Sequence, residues 1–138
     1  METKHNYFTI RAKLPSLNEY IKACNSHRYE GGKFKAEVEE VIGWAIRQAV
    51  CERTLRPTTK PVRVYFEWHE STKRRDADNI ASAKKFILDA LQTHGIIPND
   101  NRKFVKGFGD QIVDDKENFV FVQIFEVEEA EKPQIKRK

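Results

Sequence analysis

Two hydrophobic periods alternate along this chain, and the switches between them fix its fold class. From 6 to 14, Phe8, Ile10, Ala12 and Leu14 point one way and Tyr7, Thr9, Arg11 and Lys13 the other. Side chains alternate across a strand, so this segment is a strand with one buried face. From 34 the spacing changes: Phe34, Val38, Val41, Ile42, Ala45 and Ala49 form one stripe, with Lys35, Glu39, Glu40 and Arg47 outward. That is an amphipathic helix running to about residue 51. Val62, Val64, Phe66 and Trp68 restore period two against Arg63, Tyr65, Glu67 and His69. Ile80, Ala83, Ile87, Ala90, Leu91 and His94 return to helical spacing, and Gly95 supplies a C-terminal stop.

Between these elements, Pro15 ends the first strand and Ser16 can cap a short helical turn over 17–21. Residues 24–32 read as a loop closed by Gly31-Gly32, 96–102 as a turn around Pro98-Asn99-Asp100-Asn101, and 114–118 as a hairpin-type turn. Segment 104–108 reads as a short strand. Segment 119–127 is apolar on both faces and is expected to be a strand covered on both sides. The order strand, helix, strand, helix, strand, strand predicts one small domain of the α/β class. Its sheet would be mixed and α+β-like, with about four strands and two main helices. The domain is expected to span 1–127, with 128–138 as a charged tail.

A chain of 138 residues is expected to form a single domain with enough core to stand without staples. Nine Phe, four Tyr and two Trp argue against disorder throughout, despite 33% charged residues. No apolar run approaches the ~18 residues of a membrane helix, so no membrane partner is expected. Residues 1–8 lack the apolar core of a signal peptide. Cys24 and Cys51 are too few for a disulfide scaffold, which points to a cytoplasmic location. The formal charge of +4 permits a polyanionic partner without demanding one.

The stretch that carries chemistry is Lys73-Arg74-Arg75-Asp76-Ala77-Asp78-Asn79. Two carboxylates stand at i and i+2 behind three cations. In an extended segment Asp76 and Asp78 share a face and can converge on one hard cation; in a helix they cannot. Mg²⁺ takes oxygen ligands, commonly one or two carboxylates with phosphate and water. The basic triplet suits a phosphate backbone. The plainer alternative is that Asp78 caps the second helix and 73–75 is a solvated loop.

A wider pattern adds to this. Asp76-x-Asp78-Asn79 is followed by Lys85-Phe-Ile-Leu-Asp89-Ala90-Leu91 and then by Asp100. Together with Leu14-Pro15-Ser16-Leu17-Asn18, it resembles the RusA family of Holliday-junction resolvases over about residues 7–127. The resemblance implies a homodimeric, Mg²⁺-dependent endonuclease. Such an enzyme binds four-way DNA junctions and cuts two opposed strands in recombination and repair.

The family's metal-binding carboxylates fall on Asp76, Asp78 and Asp100, and its helix lysine on Lys85. This chain departs from the family in two ways. Its lysine stands seven residues after Asp78 instead of four, which leaves Lys84 as a competitor. It also has Asn99-Asp100 where the family often has two acids. Arg75 and Asn79 are candidate phosphate contacts with Lys73 and Arg74, and Arg102 and Lys103 extend the candidate DNA-binding surface. Asp89 reads as a helix-surface or dimer-contact residue.

The chemistry suits these residue types. Two metal ions ~3.5–4 Å apart can activate water and stabilise a leaving oxygen; one ion or two is left open. Lys85 would offset charge developing on the phosphate. Rival readings are a same-fold nuclease acting on forks or flaps, and a junction-binding module without cleavage. Cys24-x-x-His27 has no second pair at zinc spacing. No Walker-type glycine loop is present, so no nucleotide cofactor is expected, and there is no Ser nucleophile elbow.

One geometric expectation follows from the helix. A continuous helix over 80–93 would be about 21 Å long. Asp100 could then return to Asp76 within one subunit only over a nearly taut chain. This favours a site shared across a two-fold axis, unless the helix is shorter or bent.

Overall fold

The computed structural model describes residues 6–26, 30–72 and 75–127; the side chains of Glu30 and Asp78 are outside that description. The proposed tail 128–138, Lys73, Arg74 and His27 therefore lie beyond the described residues. The elements run β1 (Tyr7–Ile10), α1 (Leu17–Ser26), α2 (Glu30–Cys51), β2 (Val62–Glu70), α3 (Ala77–Ala81), α4 (Lys84–Thr93), β3 (Val105–Asp114) and β4 (Phe119–Glu126). The four strands form one mixed sheet in the order β1-β4-β2-β3. β2 runs parallel to β3 and antiparallel to β4, which pairs antiparallel with β1. The expected α/β class with an α+β-like mixed sheet of four strands is the fold observed. Among the described residues no helix is long and apolar enough to cross a membrane.

The core lies between one face of the sheet and the helices. Phe8 and Ile10 of β1, Val64, Phe66 and Trp68 of β2, and Val120, Val122 and Ile124 of β4 are buried with Val38, Ile42 and Ile46 of α2 and Ile87 and Leu91 of α4. Period two in the strands and period 3.6 in the helices meet there. The stripe on α2 runs through Ile46 and leaves Val41 outside: Val41 is exposed, and Trp44 is 63% exposed with the Arg47 guanidinium 5.4 Å over its ring.

The opposite face of the sheet is half open. β4 is buried only at every second residue up to Ile124, which corrects the expectation of cover on both sides. Aromatic rings shield one another there instead: Phe119 stacks under His69 at 3.9 Å and Phe121 lies 5.8 Å from Tyr7.

Several other expectations are revised, each for a local reason. β1 stops at Ile10, after which Ala12 and Leu14 leave the sheet and pack on the core. The turn expected at 17–21 is a ten-residue helix. Its start is a capping box: Glu19 N–H donates to Ser16 Oγ (3.1 Å) and Ser16 N–H donates to Glu19 Oε1 (2.8 Å). Gly31 and Gly32 lie inside α2, not in a turn. A Cβ on Gly31 would come within 2.4 Å of Cys24 Sγ, so glycine is what lets α1 and α2 approach.

β3 is ten residues long, and Gly107 and Gly109 fall within it. Gly109 pairs with Tyr65, and its missing Cβ leaves room for the Tyr65 ring, whose hydroxyl meets Gln111 Oε1 at 3.0 Å and Glu67 Oε2 at 3.1 Å.

The second helix is broken. α3 ends at Ala81 and α4 begins at Lys84. Ser82 Oγ donates to Asn79 O (2.6 Å) and accepts the Leu17 N–H (2.9 Å), so its hydroxyl competes with the helix for local backbone groups. α4 is thus ten residues, about 15 Å. Gly95, at φ 75°, ends it as expected, with Ile96 N–H on Leu91 O and Gly95 N–H on Gln92 O. Ile96 and Ile97 are buried immediately after, which turns the chain back along α4.

Candidate functional site

The candidate residues are carried by the segment after β2, the first turn of α4 and the turn before β3. The Ile80 N–H donates to Asp76 O at 3.0 Å, so Asp76 opens α3 and Asp78 lies in its first turn. The extended backbone that would have put both carboxylates on one face is therefore absent. The cap position falls to Asp76, not to Asp78. Asp76 is exposed.

Asp100 meets α4 at Lys85. Lys85 Nζ stands 3.5 Å from Asp100 Oδ2 and 3.2 Å from Asp89 Oδ1. The hydrogen bond and charge of Asp89, joined by Asp100, raise the Lys85 pKa and hold the ammonium form. Asp89 is thus an i,i+4 ion-pair partner of Lys85. The Lys85–Asp100 contact forms within one chain without a taut return, which joins these two residues of the candidate site in one subunit. The shorter, broken helix supplies the alternative geometry.

The two lysines face different partners. Lys84 Nζ is bound to Asp110 Oδ2 at 2.8 Å and lies 4.5 Å over the Phe108 ring. Asp110 in turn accepts Trp68 Nε1–H at 2.9 Å. Lys84 is therefore tied to β3, and Lys85 faces Asp100. Asn99, the neutral neighbour, spends its Oδ1 on the Asn101 N–H (3.0 Å) and shapes the turn.

The expected DNA contacts divide into two groups. Arg102 and Lys103 are exposed and line an open depression of about 490 Å³ with Val105 and Lys106, beside the Asp100 turn. Asn79 Oδ1 accepts a hydrogen bond from Asn18 Nδ2 at 3.0 Å, which docks α1 on α3. Arg75 is not directed to solvent. Its side chain is 15% exposed, with Nη2 2.7 Å from Glu70 Oε2 and Nη1 3.3 Å from Glu19 Oε1.

Glu70 and Glu19 were not singled out in the sequence. Glu70 continues the inward series 62, 64, 66, 68 and is 5% exposed. A carboxylate at an inward strand position requires a cationic partner, and that was the available signal. Ser16-x-x-Glu19 is likewise a legible capping box.

Among the described residues no three His, Cys, Asp or Glu side chains group as metal ligands, and the Asp78 carboxylate is not among those described. The described donors fit Mg²⁺ in kind. Asp76 is exposed and Asp100 partly so, both are hard oxygen ligands, and one lysine contact does not exhaust a carboxylate's acceptor sites.

The chain matches no protein-family model, and no curated protein matches it.

Proposed function

We propose that this protein is a RusA-like, Mg²⁺-dependent DNA endonuclease that cuts four-way junctions as a homodimer. The observation that carries the proposal is the Lys85–Asp100 contact at the first turn of α4. It brings together, within one chain, two residues that the resemblance assigns to one site. Asp76 opens the neighbouring turn, and Asp78 is assigned to the metal on the resemblance alone.

Phosphodiester hydrolysis needs a nucleophilic water and a stabilised leaving oxygen. Asp76 stands before α3 and Asp78 within it, so their joint hold on Mg²⁺ with Asp100 rests on the resemblance alone; Mg²⁺ so held would supply Lewis-acid activation of both water and leaving oxygen. Lys85, held as an ammonium, offsets negative charge growing on the phosphate. It is an electrostatic group and not a general base. Arg102 and Lys103 follow the phosphate backbone on the Asp100 side, and Lys73 and Arg74 do so on the Asp76 side. A two-fold dimer presents two such sites to two opposed strands, which matches the symmetry of paired cutting. The action is assigned to the cytoplasm, in recombination and repair.

The test compares a four-way junction with a linear duplex of the same sequence, with and without Mg²⁺. Paired nicks on opposed junction strands, only with Mg²⁺, are expected. An uncut junction in Mg²⁺, or equal cutting of the linear duplex, would refute the proposal.

A further inference from the structure

Asp76 ends the short polar segment that joins β2 to α3, and Asp78 follows in the first turn of α3. Its backbone bond between Ile80 N–H and Asp76 O is a single turn's worth of local structure. A five-residue helix has no stability of its own. Something else must fix the direction in which Asp76 and Asp78 leave the chain.

Ser71, at the start of the segment, exchanges two hydrogen bonds with Asn118, and near the carboxylates three ties among the described residues run to the N-terminal turn of α1. Leu17 N–H donates to Ser82 Oγ, Asn18 Nδ2 donates to Asn79 Oδ1, and Arg75 Nη1 meets Glu19 Oε1. Of these three, the Arg75 tie also reaches the sheet, through Nε and Nη2 to the two oxygens of Glu70. The Arg75 guanidinium therefore ties the residue before Asp76 to two elements: the last residue of β2 and the capping-box carboxylate of α1. A planar fork with five donors can hold two carboxylates in fixed directions, which an ammonium cannot do.

We infer that Arg75 is a positioning residue that locks the Asp76–Asp78 turn through Glu70 and Glu19, and is not a phosphate contact. The inference rests on the nuclease reading for its consequence, and on the geometry alone for the lock. A phosphate would have to displace Glu70, whose side chain is 6% exposed and would be left charged and buried. The bonds from Glu70 and Glu19 thus direct Arg75 inward, although it belongs by sequence to a basic run.

Arg75→Ala, Glu70→Gln and Glu19→Gln test this. Glu19→Gln keeps the capping box, because glutamine serves at that position, and removes only the charge facing Arg75. The first readout is NMR hydrogen exchange of the Ile80 amide. Arg75→Ala and Glu70→Gln should speed it at least ~10-fold, the size expected for losing a charge-assisted bond, and Glu19→Gln about threefold. Val122, in the centre of the sheet, should not change. Arg75→Lys should recover only part of the protection.

The second readout is the salt dependence of junction binding, where Arg75→Ala should leave the slope unchanged. The third is the Mg²⁺ concentration for half-maximal cleavage, which should rise at least ~10-fold in the same variant.

Unchanged Ile80 exchange, or a salt slope that falls by about one unit, overturns the inference. If Arg75→Ala and Glu70→Gln do not fold, Ile80 exchange in Glu19→Gln and Arg75→Lys decides the matter. If the wild-type protein does not cut junctions, the nuclease reading fails, and Ile80 exchange still decides the lock.

Discussion

The ammonium of Lys85 stands 3.5 Å from Oδ2 of Asp100, across fifteen residues of one chain. Two features make this contact: the glycine-ended stop of α4, and the burial of Ile96 and Ile97 that turns the chain back.

Lys84 and Lys85 should separate cleanly by variant. Lys85→Ala should slow junction cleavage ~10²–10³-fold, the range for losing one preorganised group that stabilises transition-state charge. Lys84→Ala should leave the rate within about threefold and lower stability by ~1 kcal/mol, because its partner is Asp110 on β3. Single-turnover cleavage and urea unfolding of the two variants check this. The reverse order of rate losses would move the site to Lys84.

Sites built within one subunit give a definite result with mixed dimers. An Asp76→Asn subunit paired with an Asp100→Asn subunit damages both sites, so the heterodimer should not nick. A heterodimer that nicks one strand would show that Asp100 crosses to the partner subunit.

Acid should weaken the open face of the sheet. His69 meets Glu67 Oε1 at 2.7 Å and Asp115 Oδ2 at 2.8 Å, and these hydrogen bonds hold both carboxyls below their usual range. A carboxyl whose folded pKa lies below its unfolded value stabilises the fold above the unfolded value. That contribution is lost as pH falls through the folded one. Wild-type stability should therefore drop more steeply below about pH 4 than that of His69→Gln. Urea midpoints between about pH 2.5 and 5 measure the slopes, and parallel curves would contradict the assignment.

The sequence showed the sheet and its core more clearly than the site. β2 lies where Val62, Val64, Phe66 and Trp68 alternate, and the buried residues of α4 include Ile87, Ala90 and Leu91 as spaced. Periodicity reports burial, and there burial decides the structure. It was silent at Ser82, where one hydroxyl bonded to Leu17, 65 residues away, breaks a helix that the pattern runs straight through. β3 was underestimated because two glycines and Asp110 dilute its pattern, while its pairing with β2 is set by the neighbouring strand. The direction of Arg75 depends on Glu19, 56 residues away, and on Glu70, five away; local composition read it as one more cation in a basic run.

The central claim is that Asp100 belongs to a metal-dependent nuclease site. The most direct test measures single-turnover cleavage and binding of a four-way junction by Asp100→Asn, across a Mg²⁺ titration. Cleavage should fall at least ~10³-fold while the binding constant stays the same or tightens, because a carboxylate is lost but no phosphate contact is. Near-wild-type cleavage by Asp100→Asn at any Mg²⁺ concentration would contradict the account.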